Sequence, residues 1–479
     1  ISTRDWSSDV CSSDLELFER DVRLRMPFRF GIVTLTAAPQ AFVRARIRLD
    51  SGDKATGASA ELLAPKWFDK TPTLTNEDNF EQLRTALRLS AKAYLGGESQ
   101  SAFDHFEAHH LAHIDRAAAK GLNTLTANFG PALIDRALID ALCRARGVSF
   151  YEAMRVNLGG LRTTALAADL NGFDFDALLA RLAPATTLGA RHTVGLVDLI
   201  TAADRPPGQP AVGDGLPETL DEVVERYAHR WFKLKVGGNL AADLERLAAI
   251  AAVLDRSAEP YRASLDGNEQ YDDVDSIVAL WEAMRHEARL RRLTASIAFI
   301  EQPIRRSNAL TRPIDGLARQ APVIIDESDD TLDAFVRARA LGYTGVSSKT
   351  CKGLWRSFIN RARCEQWNRE SGTPGRFFMS AEDLTIQAGL ALQQDLALIN
   401  LLGIEHVERN GHHYVNGMAD LPAGEQAAFL QAHPDLYEHR HGAARVKIVD
   451  GALSVASLGC AGYASSAMPD WASMRGFAD

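Results

Sequence analysis

Lys233 and Lys235 stand two residues apart in the short run Trp231-Phe-Lys-Leu-Lys-Val236. In a β-strand that spacing aims both ammonium groups at the same face. Four more charges close short apolar runs in the same manner: Asp266 after 261–265, Glu301 after 296–300, Asp326 after 321–325 and Lys349 after 344–348. Three carboxylates converging on one place repel one another unless a cation sits among them. An all-oxygen set of this kind suits Mg²⁺.

The intervals from Lys235 onward are 31, 35, 25 and 23 residues, each long enough for a loop, an amphipathic helix and the next strand. Leu240–Leu254 has the spacing of such a helix, with Leu244, Leu247, Ile250, Ala251 and Leu254 at i, i+3, i+4 intervals. Repeated units of this length, charged only at their C-terminal strand ends, predict an α/β chain built as a (β/α)8 TIM-type barrel with its site on that face. One Asp at a strand end is usually a helix N-cap. The ordered set is far more specific.

Lys-x-Lys followed by Asp266-x-Asn268, Glu301-Gln-Pro303, Asp326-Glu-Ser328 and Lys349-x-x-Lys-Gly353 resembles the enolase superfamily, in its muconate-lactonising-enzyme-like subgroup. The resemblance runs over nearly everything after residue 16. It implies one Mg²⁺ per active site, with Mn²⁺ able to substitute, held by Asp266, Glu301 and Asp326. It also implies a small carboxylate substrate, bound by a cationic Lys233. Ionising the carbon next to a carboxylate puts two negative charges on one enediolate, which a divalent cation stabilises directly. A second ammonium and a nearby cation both disfavour the charged form of Lys235, as a base requires. Lys235 and Lys349 come from the second and sixth strands and so flank the substrate from opposite faces. The expected reaction is abstraction of the α-proton by a racemase or epimerase, with a cycloisomerase, dehydratase or other lyase as the alternative.

The rest of the chain agrees with an enzyme of this build. Its 479 residues are 46% hydrophobic, enough for a large core, and the net charge of −9 argues against nucleic acid or an anionic membrane as partner. No apolar run reaches the length of about 18 residues that a membrane span needs. Five cysteines without a CxxC pair fit a reducing cytoplasm. A homo-oligomer is expected. Residues 1–15 read as a non-native, adapter-like segment, having neither the apolar core of a signal peptide nor the basic face of a transit peptide. Residues 16–150 read as an α+β capping domain, with strands at Glu16–Arg25 and Ala41–Leu49 and helices at Asn76–Tyr94, Phe103–Lys120 and Pro131–Arg146. Residues 151–440 read as the barrel, beginning near His192–Asp198, with its seventh strand at Arg376–Ser380 and its eighth near Ile404–Val407. Residues 441–479 read as a tail that returns to the cap through an Arg445–Val455 hairpin, so that the tail completes the cap. Residues 157–190 receive no assignment.

The resemblance makes 28–31 and 58–64 the cap loops that close the mouth, with Arg29 and Glu61 as specificity candidates. Asn268, Glu382 and His412 are further candidates for contact with substrate. His105, His109 and His113 share one helix face but read as a solvated face. The seventh strand carries no His, which sets the chain apart from relatives built on a His–Asp dyad. A metal-dependent hydrolase on the same barrel would need a His-x-His near the first strand, where His192 stands alone. A catalytically silent barrel is disfavoured by the completeness of the charged set.

Overall fold

Alternating apolar and polar residues near the N-terminus become a twisted antiparallel meander. In the computed structural model, which describes residues 9–95, 99–384 and 386–477, its strands are β1 (Val10–Phe30), β2 (Val33–Leu49) and β3 (Lys54–Leu62). Arg475–Gly476 adds a fourth strand beside β1. β1 takes up the end of the segment set aside from the sequence, since Val10 to Asp14 pair with Leu49 to Arg46 of β2. Residues 1–8 lie outside the described chain. Ala41, Val43, Ala45, Ile47 and Leu49 of β2 are all buried, as period-two alternation demands.

Helices α1 (Asn76–Tyr94), α2 (Ala102–Ala118) and α3 (Thr124–Arg146) cover that sheet. Gly57 lets α3 approach β3, because a Cβ there would meet the Ala141 backbone nitrogen at 2.2 Å. α3 starts seven residues before Pro131, capped by Asn123, so the Pro does not open the helix as its usual first-turn preference suggested. A mid-helix proline leaves the carbonyl four residues back without a donor. Here that carbonyl is Ala127, and His113 Nε2 lies 2.7 Å from it. A carbonyl can only accept, so this nitrogen carries the proton. The histidine face of α2 is therefore not solvated. His105 and His113 are buried between helices, and His105 Nδ1 lies 3.0 Å from Gln100 Nε2.

Eight parallel strands close the barrel: β4 (Thr187–Val194), β5 (Trp231–Lys235), β6 (Arg262–Asp266), β7 (Ile297–Glu301), β8 (Val323–Ile325), β9 (Gly345–Ser348), β10 (Phe378–Ala381) and β11 (His406–Arg409). They pair in chain order, and β11 pairs with β4 to complete the ring. β4 begins five residues before the expected position, within the unassigned stretch. Arg191, directly after that stretch, is fully buried, and its side chain reaches across the barrel interior to Ser380 and Glu382.

The tail divides its work. Ala452–Ser454 pairs antiparallel with Thr187–Gly189 of β4, so the expected 445–455 hairpin attaches to the barrel and not to the cap. The return to the cap comes later. Tyr463 stacks on Phe150 with ring centroids 3.9 Å apart, its backbone N–H donates to Asp140 of α3 at 2.6 Å, and Arg475–Gly476 reaches β1.

Candidate active site

In β5, Phe232 and Leu234 pack outward into the core while Lys233 and Lys235 alternate with them and point inward. Strand register sets Lys235 beside Asp266, and Asp266 beside Glu301. Asp326 and Lys349 each follow their strands, β8 and β9, by one residue. The six charges read from the sequence are thus brought to one end of the barrel. None is more than 5% exposed.

Lys233 is the hub. Its Nζ lies 2.8 Å from Asp266 Oδ2, 2.9 Å from Glu301, 2.6 Å from Glu382 and 3.1 Å from Glu408. Burial opposes its charge, but these four carboxylates outweigh burial and hold it well above the ordinary lysine range. Lys235 Nζ donates to Asp266 Oδ2 at 2.5 Å. On the other side of the ring, Lys349 Nζ donates to Asp326, and its ammonium sits 4.4 Å from the centroid of the Trp67 ring. Burial disfavours the charge on Lys349 as well, yet Asp326 raises its pKa above normal. For Asp326 burial is likewise overcome, by Lys349, Lys352 and Lys233, and its pKa falls.

The turns that aim these groups are strained. Asn268, Glu269 and Gln302 have φ of 40°, 68° and 32°, directly after the strand ends that carry Asp266 and Glu301. Gly267 between them leaves room for Pro303, whose Cα a Cβ would meet at 2.6 Å. Gln302 fixes the next turn, for its Oε1 accepts from the backbone N–H of Asp326 at 2.8 Å and of Ser328 at 3.1 Å. Lys352 backs the same acid, donating to Ser347 Oγ at 2.8 Å while Ser347 donates to Asp326.

The weaker candidates separate cleanly. Glu382 is in the site, touching Lys233 and Arg191. Asn268 is too, its backbone N–H donating to Asp266 Oδ1 at 2.8 Å. Glu61 is fully buried behind Lys349, accepting from Thr350 Oγ1 at 2.8 Å and paired with Arg136 at 3.1 Å, so it joins cap to barrel and does not face the mouth. Arg29 is exposed, and its backbone carbonyl accepts from Leu196 N–H at 3.3 Å. His412 does not face the carboxylates; its ring packs against His192 and His229. Three groups were missed. Glu408 closes the eighth strand as an acid, a signal the sequence carried. Trp67 and Lys70 lie just past the second cap loop, and Lys70 Nζ reaches Asn268 O at 2.9 Å and Glu327 Oε1 at 3.3 Å.

A divalent cation fits this set. Asp266, Glu301 and Asp326 offer only oxygen donors and are fully buried. Burial, Asp266 and Glu382 push the Glu301 carboxyl well above its usual range, so added positive charge there relieves a real conflict. Asn268 Oδ1 and Glu327 Oε2 are buried beside the set without a hydrogen-bond partner among the described residues.

Residues 215–425 match the family model described as Enolase C-terminal domain-like. The barrel domain belongs to the enolase superfamily. Members of this superfamily are isomerases and lyases that use a divalent metal, typically Mg²⁺, to assist proton abstraction next to a carboxylate. Three solved structures show the same two-domain fold. A mandelate racemase/muconate lactonizing protein from Herpetosiphon aurantiacus is 16% identical, with 96% of this chain and 99% of that one covered at a TM-score of 0.59. The muconate lactonizing enzyme from Mucobacterium smegmatis is 18% identical over 96% and 98%, TM-score 0.57. That from Pseudomonas fluorescens is 19% identical over 96% and 97%, TM-score 0.56. No curated protein matches the chain. Among the described residues no helix is long and apolar enough to cross a membrane.

Proposed function

We propose that this enolase-superfamily chain removes and returns the proton α to the carboxylate of a small organic acid, as a racemase or epimerase. The observation that carries the reading is the symmetry of the two lysines. Along the ring the order is Lys235, Asp266, Glu301, Asp326, Lys349, one group per strand from β5 to β9. Lys235 ends on the first acid and Lys349 on the last. A substrate carboxylate seated over the central acids would present opposite faces of its α-carbon to the two amines.

Asp266, Glu301 and Asp326 would hold Mg²⁺, which supplies positive charge against the charge that collects on the substrate carboxylate as its neighbouring carbon ionises. Lys233 stays protonated in its ring of four carboxylates and serves as a fixed cation for the same oxygens. With the acids engaged by such a cation Lys235 would be free of Asp266; in this reading one amine takes the proton and the other delivers one to the opposite face. Gln302 is a positioning residue, holding the Asp326 turn.

A second reading has its own support. Lys349 faces the Trp67 ring and Asp326, and both favour the ammonium form. A lysine held cationic suits a lyase or cycloisomerase, in which Lys349 donates or stabilises and only Lys235 abstracts. Exchange of α-hydrogen in D₂O separates the two, using both enantiomers of acids that the protein accepts. Two-base chemistry predicts that Lys235→Ala abolishes exchange from one enantiomer and Lys349→Ala from the other. Exchange that survives Lys349→Ala while product formation slows would overturn racemisation in favour of elimination or cycloisomerisation.

A further inference from the structure

We infer that His192, His229 and His412 form a second metal site, for a late transition ion such as Zn²⁺, on the outer side of the barrel wall. Arg191 and Thr193 of β4 point inward to Glu382 and Glu408, so His192 between them points outward. His229 enters from the loop before β5, and His412 from the turn after β11. Both strands flank β4 in the ring, so one rigid wall positions all three rings. One ring nitrogen of each lies within 4.8 Å of the others. His192 Nδ1 and His412 Nε2 are 3.1 Å apart, close to the ~3.3 Å edge of a tetrahedron with Zn–N bonds of about 2.0–2.1 Å.

His229 decides the matter. Its Nδ1 lies 2.8 Å from the Ala190 carbonyl, which can only accept, so Nδ1 carries the proton and Nε2 the lone pair. That Nε2 is buried with no hydrogen-bond partner among the described residues, on a residue 4% exposed. Metal-binding histidines are oriented in this way, one nitrogen on a carbonyl and the other free. Burial keeps all three imidazoles neutral at neutral pH, with His229 lowered to about 4. Arg25 and Arg409 disfavour positive charge at His412, so the affinity must come from the three nitrogens. A small cleft lined by Tyr227, Gly411, His412 and Val415 lies against His412. Three nitrogens leave a fourth position for water.

The site is independent of the carboxylate centre, and its test keeps the two apart. Full-length protein is stripped with chelator, held in excess Mg²⁺ to fill the carboxylates, and titrated with Zn²⁺ alone by calorimetry. One Zn²⁺ per chain is expected. Binding should be unchanged in Glu301→Gln and weakened in His229→Gln by at least about 100-fold, the upper end of what removing even an outer partner costs. Co²⁺ in place of Zn²⁺ should give the intense visible bands of a tetrahedral nitrogen site. If His229→Gln does not fold, His412→Gln, at the least buried of the three positions, should show the same loss. Absence of Zn²⁺ binding in excess Mg²⁺, or binding lost in Glu301→Gln and kept in His229→Gln, would overturn the assignment.

Discussion

One ammonium, that of Lys233, stands against four carboxylates with side chains at most 3% exposed. Taking it away leaves Glu301 and Glu408 without their paired cation, while Asp266 keeps Lys235 and Glu382 keeps Arg191. Breaking a buried ion pair from one side typically costs about 3–5 kcal/mol. Lys233→Met should therefore lose stability of that order in metal-free denaturant unfolding, and a loss below about 1 kcal/mol would contradict the hub role. Glu61 gives a second prediction. Burial raises its carboxyl to about 7, from 4.5 in the open. The native state keeps a proton that the unfolded chain has already released between these values. The stability this contributes is complete below about pH 4.5 and is lost as pH rises through about 7. At about 1.4 kcal/mol per pH unit the total is roughly 3 kcal/mol. In Glu61→Gln, unfolding free energy measured from about pH 5 to pH 8 should change relative to wild type by up to that amount, narrowing the deficit as pH rises. Parallel curves would refute it.

Elements in this fold are placed by close approach, which composition conceals. Gly130 sits inside α3, where Ala is intrinsically better by about 1 kcal/mol. A Cβ there would meet the Ala86 carbonyl of α1 at 2.3 Å, and overpacking of this sort costs typically 1–3 kcal/mol. The clash wins, so Gly130→Ala should lower the melting temperature; an increase would show that α1 and α3 can separate freely. The barrel strands from β5 to β9 were legible in the sequence because each couples an apolar run to a terminal charge. β4 was read five residues late and its first half left unassigned; Arg191 within it is an interior residue whose counter-charges, Glu382 and its neighbours, lie nearly two hundred positions away. α3 was misread at Pro131 for a related reason. The group that satisfies Ala127 is His113, on another helix, and nothing local announces it. Asp266, Glu301 and Asp326 could be read from spacing alone, whereas Trp67, Lys70 and Gln302 act through turns and loops that have no period.

At the scale of the whole molecule, cap and barrel meet at the charged centre. Lys70 and Trp67 reach from the cap to the acids and Lys349, and Arg306 of the barrel donates back to the Trp67 and Phe68 carbonyls at 2.7 and 2.9 Å. Glu61 with Thr350 ties the sheet to the loop after β9. The tail locks this arrangement from behind, through Tyr463 on Phe150 and Arg475–Gly476 on β1. The outcome is a fully buried site in which two amines flank three acids. The most direct test is α-hydrogen exchange by the intact protein. Small enantiopure carboxylic acids are incubated in D₂O with Mg²⁺ and followed by proton NMR, then again after chelation and after Mg²⁺ is restored. Metal-assisted proton transfer by the two amines predicts loss of the α-proton signal with Mg²⁺, no loss in chelator, recovery on adding Mg²⁺ back, and no loss in the Lys235→Ala/Lys349→Ala double variant. Exchange that continues undiminished in excess chelator, or in the double variant, would contradict it.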